Sequence, residues 1–210
     1  METRLRFLRV ALILFSILLF SCGSDDHTIT PVARPEFGTF RWPSFPVELH
    51  VDSSLTNDKN RQKDLRIAMA FWEKRAGKKL FHAQNDWQGP GMPFTGAADN
   101  PDSISENVLV FQGNWPFESN MTGWTSVRVN AGNITGAVIL LDPQSGYCSG
   151  LCEDNSEATS LRRLLAHELG HFLGFAHSPY PQNIMYSSIL PGGSLGDRTV
   201  DDVALHRLTD

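Results

Sequence analysis

Positive charge is scarce in this chain. Its 210 residues carry 18 Lys and Arg against 23 Asp and Glu, which gives a net charge of −5. The basic residues beyond the N-terminus are scattered and do not form the dense patch that a nucleic-acid backbone requires. The composition therefore argues against a nucleic-acid partner.

Long hydrophobic runs are missing as well. The most apolar stretch, residues 10–20, is eleven residues long, whereas a helix needs about 20 apolar residues to span a bilayer. Arg4, Arg6 and Arg9 precede this stretch, as is typical of the basic and apolar regions of a signal peptide. The sequence therefore predicts export, with residues 1–21 as the signal.

Cysteine occurs only three times, and Cys22 follows the apolar stretch directly. The segment Leu19-Phe20-Ser21-Cys22 resembles the lipobox of bacterial lipoproteins. That resemblance implies signal cleavage before Cys22, lipidation of this residue and a polar tether over residues 22–41. We then expect a membrane-anchored lipoprotein at the outer membrane or cell surface, or facing the periplasm. A plain secretory signal with an incidental cysteine is the alternative.

The other two cysteines, Cys148 and Cys152, lie four positions apart. An even pair in an exported protein favours a small disulfide loop, because the compartment is oxidising. A second metal site is the competing interpretation, but no further cysteine cluster or nearby histidine supports it. We therefore predict a Cys148–Cys152 disulfide.

The most informative segment is residues 167–177, which contains three histidines. His167 and His171 are four positions apart and share one face of a helix, so both can bind one metal ion. Gly174 can end the helix and let His177 return to the same ion, with Glu168 free to act on a water molecule. The segment predicts a catalytic zinc site, the alternative being a helix whose histidines are merely satisfied in a core.

The spacing His-Glu-x-x-His-x-x-Gly-x-x-His resembles that of the metzincin metalloendopeptidases. Met185 lies eight residues after His177 and is followed by Tyr186, which is similar to the methionine turn of the matrixin branch. The resemblance implies one catalytic Zn²⁺ and a Met185 that packs beneath the imidazoles. Met185 could also be an ordinary core methionine, and no structural zinc or calcium signature is visible.

Hydrophobic periodicity indicates an α+β domain over residues 42–210. The resemblance implies that residues 177–210 form a small C-terminal subdomain with the methionine turn. The resemblance implies a zincin fold, with a twisted, mixed and mostly parallel sheet, two main helices and a short C-terminal helix. Predicted strands cover residues 46–52, 106–111, 123–130 and 137–141. Predicted helices cover residues 57–76 (ended by Gly77), a zinc helix capped by Thr159 or Ser160, and residues 199–208 (capped by Thr199).

The segment Gly123-Trp124-Thr125 occupies the place of the matrixin-like Gly-x-Thr strand. In that family the strand forms the edge of the sheet and pairs with an extended substrate, so the resemblance implies substrate contact at these three residues. A strand that simply closes the sheet is the alternative.

The expected function is zinc-dependent hydrolysis of peptide bonds, with Glu168 as the proton acceptor and a peptide or protein as substrate. Two alternatives remain open: a peptide-binding pseudo-protease that does not cleave, and an amidase that acts on cell-wall material.

Overall fold

The computed structural model describes residues 40–87, 106–150, 158–189 and 194–209. The predicted signal peptide, nearly all of the tether, Cys22 and Cys152 lie outside these ranges. The disulfide and the lipid anchor therefore stay predictions. Within the described ranges, no helix is long and apolar enough to cross a membrane.

Five strands of the described chain form the main sheet. They are β1 (Val47–Asp52), β2 (Phe81–Trp87), β3 (Val108–Phe111), β4 (Gly123–Asn130) and β5 (Asn133–Leu141). Their order across the sheet is β2-β1-β3-β5-β4. Strands β2, β1, β3 and β5 run parallel to one another, and β4 is antiparallel to β5. The prediction of a mixed, mostly parallel sheet is confirmed.

In the described ranges, four helices and a second, two-stranded sheet accompany the main sheet. The helices are α1 (Ser53–Thr56), α2 (Lys59–Ala76), α3 (Leu161–Phe172) and α4 (Asp202–Thr209). The small sheet pairs β6 (Tyr147–Cys148) with β7 (Thr159–Ser160) in parallel. A 3₁₀ turn covers Leu195–Asp197.

Several predicted boundaries differ from the structure at identifiable caps. The helix expected from residue 57 begins at Lys59, because the Asp58 side chain accepts hydrogen bonds from the amides of Asn60 and Arg61. At its other end Gly77 adopts φ 66°, as expected for a glycine that ends a helix. Ser160 is the N-cap residue of α3, but its side chain makes no cap hydrogen bond among the described residues.

The C-terminal helix begins at Asp202, so the prediction that Thr199 caps it was wrong. The backbone of Thr199 is engaged elsewhere, since its amide donates to the Gln182 carbonyl and its carbonyl accepts from the Ile184 amide. Helix α4 therefore begins three residues after Thr199.

The strand predicted at residues 137–141 is longer than expected. It begins at Asn133, where a two-residue turn at Ala131 (φ 48°) and Gly132 (φ 82°) joins it to β4. Turns with two left-handed residues match the twist of antiparallel strands. Alanine rarely adopts this conformation, so the sequence carries only half of the usual hairpin signal.

The hydrophobic core lies between the sheet and helices α2 and α3. The inward residues Leu49, Leu109 and Ile139 are all fully buried there. Residues that alternate with these along the strands, such as Val108 and Leu140, form a second cluster on the other face of the sheet. Trp115, Phe117 and Trp124 pack against this cluster. Both faces of the central strands are thus covered, as expected for parallel strands.

Two tryptophans fix α3 against the rest of the core. The indole nitrogen of Trp72, on α2, donates to the Ala166 carbonyl at 2.7 Å. The indole nitrogen of Trp42 donates to the Phe172 carbonyl, also at 2.7 Å. Both hydrogen bonds are buried, so the start of the described chain and helix α2 are both fixed to α3.

A buried ion pair joins α2 to the start of α3. Asp64 is fully buried, and one of its oxygens accepts from the Arg162 guanidinium at 2.8 and 2.9 Å. Its other oxygen accepts from the Gly150 amide at 2.8 Å. Asp64 thereby holds α2, α3 and the segment after β6 together.

We expect Asp64→Ala to lower the free energy of unfolding by about 3–5 kcal/mol, because it removes the fully buried counter-ion of Arg162, whose side chain is only 15% exposed, and leaves the Gly150 amide without this acceptor. Denaturant titration measures this change. Lys79→Ala is the control, because Lys79 pairs with Glu73 while 65% exposed, and its loss should cost less than about 1 kcal/mol. Equal effects of the two substitutions would contradict the structural role of Asp64.

Candidate metal centre

Helix α3 presents its two histidines side by side. His167 and His171 lie one turn apart, with ring centroids separated by 4.7 Å. They are 0% and 6% exposed, respectively. The helix is buried because its apolar residues Leu164, Leu165 and Leu169 face the core, and the histidines follow on an adjoining face.

His177 joins this pair because the chain reverses at Gly174. Gly174 has φ 96°, and the Phe175 amide donates to the Gly170 carbonyl at 3.0 Å to close the helix end. A side chain at Gly174 would also meet the Phe40 carbonyl oxygen at 2.7 Å. The reversal brings the His177 ring to 5.2 Å from that of His167 and 4.8 Å from that of His171.

The separation of the ligand atoms fits a single metal ion. One nitrogen from each of His167, His171 and His177 lies within 4.8 Å of the others. The Nε2 atoms of His171 and His177 are 3.2 Å apart. Two nitrogens bound to one tetrahedral zinc ion at 2.0–2.1 Å would be about 3.3 Å apart.

Backbone carbonyls orient the two helical imidazoles. Nδ1 of His167 lies 2.8 Å from the Ile184 carbonyl, and Nδ1 of His171 lies 2.8 Å from the Phe175 carbonyl. A carbonyl only accepts, so each Nδ1 carries the proton and each Nε2 presents a lone pair. His167 Nε2 is buried without a hydrogen-bond partner among the described residues, and a metal ion would satisfy it.

Burial keeps these imidazoles neutral. It lowers the pKa of His167 well below its usual range, with further lowering by the charges of His171 and His177. Burial, followed by the charge of His177, lowers the pKa of His171 to about 3. Neutral imidazoles are the form that binds metal, so the site is ready to accept a cation at neutral pH.

Glu168 lies beside the histidines and is fully buried. Its Oε2 accepts a 2.5 Å hydrogen bond from the Thr125 hydroxyl, whereas its Oε1 has no hydrogen-bond partner among the described residues. Burial raises the pKa of Glu168 to about 8, although the Thr125 hydrogen bond opposes the change. The result is a carboxylate of raised proton affinity, and a nearby cation would draw that affinity down.

Met185 packs against helix α3 at Gly170. It is 1% exposed, and a side chain at Gly170 would overlap its sulfur atom and the Trp72 ring. The Ser178 amide donates to the Met185 carbonyl at 2.8 Å, which ties the turn to the residue after His177. The role of Met185 as a hydrophobic base beneath the imidazoles stays a prediction.

The predicted substrate strand is at the edge of the five-stranded sheet, since β4 pairs only with β5 in it. Its three named residues do not share a face. Gly123 and Thr125 face Glu168, whereas Trp124 packs on the opposite face with its ring 5.2 Å from that of Phe117. Substrate contact at this edge stays a prediction.

Some residues of the site escaped sequence reasoning. The carbonyls of Ile184 and Phe175 orient histidines, but a backbone carbonyl has no residue-type signature. Gly170 occupies an unspecified position of the zinc motif, and its need for a missing side chain is visible only in the packing. The inward direction of Thr125 could have been inferred from strand alternation, but its partner could not.

Comparison with known families agrees with this geometry. The matrixin family model matches residues 45–204, which is most of the chain. The fold and the site define a protein of the metzincin class, and the chain belongs to the matrixin family.

A curated relative shares a shorter region. Over 47 residues the chain is 45% identical to Metalloendoproteinase 1-MMP of Arabidopsis thaliana. The aligned stretch covers 22% of this chain and 13% of that relative.

We expect Gly174→Ala to weaken zinc binding by about 10–100-fold, the range seen when groups that orient metal ligands are changed. The alanine would be strained at φ 96° and would press on the Phe40 carbonyl. Zinc affinity can be measured by competition with a chromophoric chelator. Gly77→Ala is the control, since Gly77 also has positive φ but an added Cβ meets nothing within 4 Å. A similar loss of affinity in both variants would contradict this account.

Proposed function

We propose that this protein is a zinc-dependent endopeptidase. The observation that carries the proposal is the convergence of three imidazoles within 4.8 Å, with a buried carboxylate next to His167 in the chain. Membership of the matrixin family supports the same activity.

His167, His171 and His177 would hold the ion. Among the described residues this set has no fourth His, Cys, Asp or Glu, so the remaining position on a tetrahedral ion would go to water or substrate. When bound, zinc supplies a Lewis acid that polarises a carbonyl group and acidifies water. The chain's own contribution is to hold three neutral nitrogens in place, which the Ile184 and Phe175 carbonyls do for two of them.

Glu168 performs the proton transfers in this proposal. Its Oε1 accepts a proton from the attacking water and then donates it to the amine that leaves when the peptide bond breaks. Burial raises its proton affinity, and its place directly after His167 in α3 would put it beside the ion that the histidines hold.

The substrate would bind as an additional strand along the edge of the sheet that β4 forms. The outer edge of β4 is not paired with another described strand, so its backbone groups can bond to an extended peptide. Main-chain pairing of this kind holds many sequences in one geometry, which suits an endopeptidase. The face that carries Gly123 and Thr125 would place the peptide beside Glu168.

We also propose that the protein is exported and anchored by lipid at Cys22. The basic residues, the apolar stretch and the lipobox-like segment support this location. An oxidising compartment would also favour the Cys148–Cys152 disulfide.

Glu168→Gln should retain zinc but lower kcat for peptide hydrolysis by at least about 10²-fold, because the amide cannot accept the proton. The assay is a diverse peptide library with the 23–210 protein, read by mass spectrometry with and without a chelator, next to zinc analysis. Internal cleavage by the wild type that stops with chelator supports the proposal. Peptide binding without cleavage would indicate a pseudo-protease, and hydrolysis of cell-wall amides alone would indicate an amidase.

Cys22→Ser should move the full-length protein from the membrane fraction to the soluble fraction, because the acyl chains that anchor it would be lost. Membrane fractionation with immunoblotting measures this. Cys148→Ser is the matched control and should remain in the membrane fraction. Unchanged membrane association of the Cys22→Ser protein would rule out the lipid anchor.

A further inference from the structure

The two carboxylate oxygens of Glu168 have very different surroundings. Oε2 accepts a hydrogen bond from the Thr125 hydroxyl at 2.5 Å, whereas Oε1 is buried with no hydrogen-bond partner among the described residues. A carboxylate in solution has equivalent oxygens, so the protein itself creates this difference. Its source is β4, which lies across from α3.

Thr125 is well placed to hold one oxygen. It is fully buried, so water does not compete for its hydroxyl. It pairs with Ile139 in the β4–β5 ladder, which fixes the backbone from which its hydroxyl projects. The same hydroxyl also lies 3.4 Å from the Glu168 carbonyl oxygen. All of its polar contacts given by the structure are therefore with Glu168.

Gly123 lies next to the other oxygen, Oε1, and places no side chain against it. It is two residues before Thr125 and faces the same side of the sheet. A side chain at Gly123 would overlap Oε1 and crowd the Leu164 side chain. Strand β4 thus provides a hydrogen-bond donor for Oε2, the Thr125 hydroxyl, and leaves space beside Oε1 at Gly123.

We infer that Thr125 is a positioning residue that anchors Glu168 through Oε2 and so reserves Oε1 for the proton transfer. The inference rests on the proposed peptidase function. Without the hydroxyl, the Glu168 side chain could rotate within its cavity, and the reactive oxygen would spend less time in place. Strand β4 would then align both the substrate and the proton acceptor.

Thr125→Val removes the hydroxyl and nearly preserves the shape, whereas Thr125→Ser keeps the hydroxyl. We expect Thr125→Val to lower kcat by about 10–100-fold, as for other groups that orient active-site residues. KM and zinc content should stay at wild-type values, and Thr125→Ser should recover most of the kcat. Thr135→Val, a threonine substitution at an exposed position of β5, should have no effect.

Crystal structures of these variants without metal give a readout that does not depend on activity. The Glu168 carboxylate should keep one position in the wild type and in Thr125→Ser, and should rotate or split into two conformers in Thr125→Val. An unmoved carboxylate in Thr125→Val would overturn the inference. So would a wild-type kcat for Thr125→Val, or an equal loss in the serine variant.

The two proposals can fail separately. If the wild type cleaves no peptide, the peptidase function is wrong, and the carboxylate position in Thr125→Val still decides whether Thr125 anchors Glu168. If the wild type cleaves peptides and Thr125→Val does so equally well, the peptidase function stands and the positioning role falls.

Discussion

The structure depends on one constraint: α3 carries two histidines and a glutamate into the interior, where each polar atom needs a partner. All residues of this helix except Arg162 are buried. Unpartnered polar groups in such surroundings are costly. The partners come from other elements, namely the carbonyls of Ile184 and Phe175 and the hydroxyl of Thr125. Two atoms of these three side chains remain without a hydrogen-bond partner among the described residues, His167 Nε2 and Glu168 Oε1. A metal ion would bind the first, and the reacting proton would bind the second.

This constraint explains why distant parts of the chain meet at α3. The turn at residues 183–186 supplies a carbonyl to His167 and the Met185 side chain to Gly170. That turn is held in place by the Thr199 bridge and by Ser178. The apparent irregularity of the C-terminal part therefore has a function, because its backbone groups are committed to the site and to one another.

Residue spacing was sufficient to predict the shared face of His167 and His171 and the reversal at Gly174. Both depend on local helix geometry and on a residue that tolerates positive φ, and local rules apply there without knowledge of the fold. Periodicity likewise predicted β4 with its full length. These features share a cause that lies within a few residues of the feature itself.

The features that escaped prediction depend on contacts made far along the chain. Strand β2 was missed because its polar residues lie at the sheet edge and lack a buried pattern. Thr199 was taken for a helix cap because its partner, the segment at Gln182, is distant in sequence. The pairing of Thr125 with Glu168 spans 43 positions. Such contacts follow from the tertiary arrangement and not from any local residue pattern.

The two indole hydrogen bonds to α3 have an optical consequence. Trp42 and Trp72 are buried, and both donate to carbonyls of the helix that carries the histidines. Tryptophan emission shifts to longer wavelength when the indole becomes exposed to water, so loosening of α3 would change the colour of the protein's own fluorescence. Two of the chain's five tryptophans thus report on the helix that carries His167 and His171, without any added label.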